Sequence, residues 1–123
     1  GAVAFQSMTK LRVLALSHVT LGGPAAAFLK DHPTLESFSS DGGIGADGMA
    51  DVATCKKLKH VRLMHGAAHD GSAAALANHP ALEVVSLSPS NTYGVTVAAL
   101  PPVASIPNLT ELTITDSVLA FEN

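Results

Sequence analysis

Apolar residues recur along this chain as a triplet spaced three and then two apart. The triplets are Leu11, Leu14, Leu16; Leu35, Phe38 and the polar Ser40; Leu58, Val61, Leu63; Leu82, Val85, Leu87; and Leu109, Leu112, Ile114. Their first residues follow one another at 24, 23, 24 and 27 positions. A fixed period in the twenties marks one supersecondary unit stacked on copies of itself. Alternate residues of a strand point to opposite sides, so the last two members of each triplet share one face. Five short parallel strands are predicted within 11–16, 35–40, 58–63, 82–87 and 109–114.

The residues ahead of each triplet also fall into register. Six positions upstream stand Phe5, Leu29, Val52, Leu76 and Val103, and three positions upstream stand Met8, His32, Cys55, His79 and Ile106. A three-to-four spacing is one face of a helix. Helices are expected near 24–31, 46–55, 71–78 and 95–105, with Pro101 and Pro102 expected to break or kink the last. Parallel strands require such crossovers, and helices laid on one face bury what the apolar positions offer. Gly22-Gly23-Pro24, Asp41-Gly42-Gly43 and His65-Gly66 punctuate the loops, and His32-Pro33, His79-Pro80 and Ile106-Pro107 mark turns from helix into strand.

The triplet pattern resembles the leucine-rich repeat family, and Ile44 to Ala53 is similar to the helical half of its ribonuclease-inhibitor-like or GALA-type repeats. The resemblance implies an α/β, right-handed leucine-rich repeat solenoid of about four to five repeats, with a curved parallel sheet on the concave side and helices on the convex side. It covers residues 1–123 as one array. The asparagine or cysteine that usually follows the strand is replaced by Val19, Gly43, Gly66, Ser90 and Ser117, so these loops must be held by other means. The long fourth interval hides an insertion around Tyr93 to Pro102. No cap is recognisable at either end, which leaves Phe5, Val118, Leu119 and Phe121 in need of cover and suggests a piece of a longer array.

Apolar residues make up 47% of the chain, charged residues 14%, and the formal net charge is -3. That balance excludes polar disorder and gives no basic footprint for nucleic acid. No apolar run reaches spanning length, so membrane insertion is not expected. A single cysteine excludes an internal disulfide. Few lysines and many alanines and glycines are similar to bacterial members of the family, and export to the periplasm or exterior is preferred over the cytoplasm.

Candidate chemistry is sparse. His65 and His69 have the i, i+4 spacing of paired ligands, yet they flank a glycine in a loop and lack the glutamate of the zinc-protease motif, so no metal is expected. His32 and His79 share a repeat position with Met8, Cys55 and Ile106 and are read as half-buried structural residues. Cys55 reads as a small buried hydrophobe at that same position. Ser86, Ser88 and Ser90 lie outside any G-x-S-x-G, and Gly42 to Gly45 lacks the lysine of a phosphate loop. No catalytic residue and no cofactor are assigned, and the chain is read as a non-enzyme.

The third and fifth triplet positions point away from the core and form two ladders: Val13, Ser37, His60, Val84, Glu111 and Ala15, Ser39, Arg62, Ser86, Thr113. Such a floor suits a protein or peptide partner or an extended glycan. The candidate ligand-binding residues are Ser37, Ser39, Lys59, His60, Arg62, Val84, Ser86, Glu111 and Thr113. Lys59, His60 and Arg62 form a basic rung between Glu36 and Glu83, which suits an anion on the ligand or, without one, a lattice in which those acids hold Lys59. The alternative role is architectural, with the ends packing on neighbouring repeats of the same protein.

Overall fold

A computed structural model of the chain describes residues 8–17, 29–89 and 95–115. Five strands, β1 (Val13–Leu16), β2 (Ser37–Ser40), β3 (His60–Met64), β4 (Val84–Ser88) and β5 (Glu111–Ile114), form one sheet in sequence order with every neighbouring pair parallel. Three helices intervene: α1 (Ala46–Ala53), α2 (Asp70–Ala75) and α3 (Leu100–Ala104), with short 3-10 turns at His65–Ala67 and Val97–Ala99. The described chain is thus α/β with an all-parallel sheet.

The strands fall where the apolar spacing predicts, β3 and β4 running one residue further. The register is the one the triplets require: Leu14, Phe38, Val61, Val85 and Leu112 form one inward rung, and Leu16, Ser40, Leu63, Leu87 and Ile114 the next. Met49 and Val52 of α1, Ala73 of α2 and Val103 of α3 are buried in the same cluster as Phe38, Val61, Leu63, Val85 and Leu87, so the helices cover one face of the sheet. Ser40 sits in this interior fully buried, and its hydroxyl has no hydrogen-bond partner. The rung is not evenly sealed: Val61 is 1% exposed and Leu112 is 41% exposed.

The helices are shorter than the periodicity suggests, and one expectation is overturned. Pro101 and Pro102 do not break the last helix; they fall in the first turn of α3, where a missing N–H costs nothing because that turn has no intrahelical acceptor to reach. Of the helix expected over 24–31, residues 24–28 lie outside the described residues, as do Phe5, Val19, Ser90, Tyr93, Ser117, Val118, Leu119 and Phe121.

Successive units are not equivalent but alternate. Four positions before the first leucine of each triplet stand Asp31, Thr54, Asn78 and Ser105. Asp31 and Asn78 adopt left-handed backbone, with φ of 56° and 61°, a conformation that Asp and Asn tolerate better than most residues. Thr54 and Ser105 are right-handed, with φ of -72° and -80°. The left-handed turn exposes its N–H to the next unit: Asp31 donates to Thr54 Oγ1 at 2.7 Å, and Asn78 donates to Ser105 Oγ at 2.9 Å. Each hydroxyl then donates to its own helix end, Asp51 and Pro102 carbonyls respectively, both at 2.6 Å. The described loops that follow β2 and β3, at Gly43 and Gly66, are held by side chains. His69 binds the Ile44 carbonyl at 2.7 Å, Ser72 donates to the Ala67 carbonyl at 2.6 Å, and Asp70 accepts from both the N–H and the hydroxyl of Thr96.

Candidate functional site

The face of the sheet opposite the helices carries the two outward ladders. Val13, Ser37, His60, Val84 and Glu111 stand on one rung, and Ala15, Ser39, Arg62, Ser86 and Thr113 on the next. Over its middle lies a depression of about 370 Å³ lined by Ser37, Ser39, His60, Val61, Arg62, Val84 and Ser86. Six of the nine predicted binding residues are thus brought together. Lys59 stands just ahead of β3 outside this lining, and Glu111 and Thr113 continue the same rungs on β5, also outside it.

Strand alternation explains what fills the floor. Arg62 lies between Ser39 on β2 and Ser86 on β4, and His60 between Ser37 and Val84. The flanking side chains leave both groups room and give them no carboxylate. Among the described residues, neither Lys59, His60 nor Arg62 makes a side-chain hydrogen bond or ion pair. The lattice in which Glu36 and Glu83 hold Lys59 is absent among the described residues: Glu36 instead pairs with Arg12 at 3.3 Å, and Lys59 meets its neighbours through its backbone, donating to the Glu36 carbonyl at 2.7 Å and accepting from the Glu83 N–H at 2.9 Å. The exposed, unpaired guanidinium keeps all its donors available to a ligand.

The other candidates resolve into structural roles. His69 caps α2: its Nδ1 accepts from the Ser72 N–H at 3.1 Å, which leaves Nε2 to donate to the Ile44 carbonyl. His65 is exposed in the preceding turn with φ of 53°. Among the described residues no group of three or more His, Cys, Asp and Glu could hold a metal ion.

His79 is buried more deeply than the half-burial expected, because its ring is a staple for backbone. Nδ1 accepts from the N–H groups of Ala81 and Leu82 at 3.1 and 3.2 Å, so the proton sits on Nε2 and is donated to the Cys55 carbonyl of the preceding unit at 2.9 Å. Burial pushes its pKa below the ordinary histidine value; the bond to Cys55 opposes this and the Lys56 charge adds to it. Cys55 is fully buried and donates through its thiol to the Leu29 carbonyl at 3.0 Å. Burial raises its pKa, against the backbone hydrogen bond from His32 and with the charge of Asp31. A nucleophilic cysteine needs the opposite, an exposed site that favours thiolate.

Sequence reasoning missed the capping role of His69 and the Asp70–Thr96 clamp. The signal for the first is an acceptor side chain three residues ahead of a small polar residue at a helix start, a place usually taken by Ser, Thr, Asp or Asn. No helix among the described residues is long and apolar enough to cross a membrane. Comparison with family models, with curated proteins and with solved structures finds no significant match to this chain.

Proposed function

We propose that this chain is a leucine-rich repeat array of the ribonuclease-inhibitor-like or GALA-like kind, and that it is a non-catalytic interaction module binding a protein or peptide on the uncovered face of its sheet. The observation that carries the reading is the depression of about 370 Å³ in which Arg62 and His60 stand unpaired among the hydroxyls of Ser37, Ser39 and Ser86. Stacked units of this type offer extended surfaces for binding.

The test is a paired comparison of two bulky substitutions. Ser86→Tyr fills the depression, whereas Ala50→Tyr places the same bulk on the exposed side of α1. Partners captured by the wild-type chain should be lost from the first variant and kept by the second. Equal retention by both would remove the floor from the interaction.

A second reading, an architectural segment that packs through its outer strands onto neighbouring repeats or another subunit, draws on Leu112 at 41% and Val13 at 63% exposure. Under that reading Leu112→Glu reduces association in concentration-dependent sedimentation while Ser86→Tyr leaves it unchanged.

A further inference from the structure

Charge is distributed unevenly along this chain. All seven Lys and Arg lie at or before Arg62, accompanied by five of the acidic residues, and the other five acidic residues follow with no Lys or Arg among them. Seven cations against five acids give +2 up to Arg62, and five acids alone give -5 after it, which together make the -3 of the whole chain. Because the strands line up in sequence order, this asymmetry leaves the basic residues of the uncovered face on β3 and its acidic residue on β5.

On that face β3 presents His60 and Arg62, β4 presents Val84 and Ser86, and β5 presents Glu111 and Thr113. Among the described residues the carboxylate of Glu111, like the side chains of His60 and Arg62, has no hydrogen-bond or ion-pair partner. His60, Val84 and Glu111 share one rung. Two strand steps of about 4.8 Å set the basic and acidic ends roughly 10 Å apart. An extended peptide advances about 3.3–3.6 Å per residue and its side chains alternate in direction, so two residues that face the floor together stand about 7 Å apart, and side-chain reach closes the rest of the gap.

We infer that the ligand is an extended peptide bearing both signs of charge, laid across the strands with an acidic side chain on Arg62 and His60 and a basic side chain on Glu111 two residues away. This rests on the reading of the floor as a binding surface. The Arg62 fork takes a carboxylate through two parallel N–H groups, which fixes orientation as well as position. Val84 supplies an apolar step between the charged ends, and the Ser86 hydroxyl can donate to or accept from the peptide backbone. A uniform polyanion, such as nucleic acid or a sulfated glycan, places negative groups over Glu111 as well as Arg62 and is repelled at one end. The same repulsion selects the direction in which a bipolar peptide lies.

The experiment is selection of phage-displayed random heptapeptides on the intact chain, followed by affinity measurement with the synthetic peptide most enriched. The targets are wild type, Arg62→Glu, the charge exchange Arg62→Glu with Glu111→Lys, and Ser86→Tyr as a filled floor; circular dichroism checks that each variant folds. Wild type should enrich peptides with an acidic and a basic residue two positions apart, and Arg62→Glu should weaken their binding about tenfold or more. The charge exchange should recover binding for peptides in which the two signs are interchanged, a rescue that a merely structural Arg62 cannot give. Peptides blocked by Ser86→Tyr but carrying no charge signature, or indifferent to Arg62→Glu, would overturn the inference and leave the floor as a binding surface. Peptides indifferent to Ser86→Tyr, or no enrichment together with no Arg62-dependent heparin binding, would overturn both. Heparin binding that depends on Arg62, with no peptide enriched, would replace the peptide by a polyanion.

Discussion

Val61 and Leu112 occupy the same place in the apolar pattern and the same rung of the sheet, yet one is sealed and the other is two-fifths exposed. Among the described residues Val61 has strands on both sides and shares its buried cluster with residues of α1 and α2, whereas β5 has a strand neighbour only on the β4 side. The pattern specifies which way a side chain points; the neighbours decide how much water that direction excludes. The central strands therefore carry the interior, and the outer strands hold the same residue types at a discount. The order of stabilities between central and outer strands tests this difference.

The largest effect should come from the centre. Leu63→Ala or Leu87→Ala removes a fully buried side chain and should cost about 2–5 kcal/mol in urea unfolding. Leu112→Ala removes one that is already 41% exposed and should cost clearly less, roughly 1–2 kcal/mol. Equal urea midpoints for Leu87→Ala and Leu112→Ala would show that β5 is covered as fully as β4.

Next comes the histidine staple. His79→Leu keeps bulk but leaves the Cys55 carbonyl and the Ala81 and Leu82 N–H groups without their partner, and should cost about 1–3 kcal/mol. The same site gives a pH dependence. The pKa of His79 is lowered in the folded state, so below the ordinary value of 6.5 the unfolded chain binds more protons than the folded one. Stability from this group is complete above that value and is lost as pH falls through the lowered pKa. Urea midpoints should drop between neutral and acidic pH in wild type, and the drop should shrink in His79→Leu; an unchanged slope would free His79 from the role.

Ser40→Ala should be neutral or stabilise by up to about 1 kcal/mol, since it removes a buried hydroxyl without a partner. A loss greater than that on thermal unfolding would reveal a partner for the hydroxyl. Smallest of all, Ser86→Ala on the uncovered face should stay within about 0.5 kcal/mol. The exposed Arg12–Glu36 pair should be worth no more than about 1 kcal/mol in a double-mutant cycle.

The placement and register of all five strands were legible in the sequence, because a wrong register would turn Phe38, Val61 and Val85 outward and expose a whole face at once. The membership of both outward ladders follows from that register. The left-handed turns at Asp31 and Asn78 were not legible from the leucine period, since they repeat every second unit and an alignment on single units averages them with Thr54 and Ser105. The isolation of Arg62 was not legible either: whether Glu36 would choose Lys59 or Arg12 depends on side-chain reach across strands, which spacing does not state. The charge gradient was present in the order of residues but invisible to a comparison of equivalent positions, where Glu36, Lys59 and Glu83 merely alternate.

Every side-chain hydrogen bond that joins one unit to another among the described residues spans 23 to 28 residues, from Thr34 to the Leu11 carbonyl up to Asn108 on the Pro80 carbonyl. Contacts thus close loops of nearly constant length, and the entropy of closing a loop grows only with the logarithm of that length. Once one pair of strands has formed, each further unit meets the same closure cost against a template already in place. Folding can then spread outward from the β3–β4 pair by zipping, and the rate of each step is set by the period of the chain and not by how many units it contains.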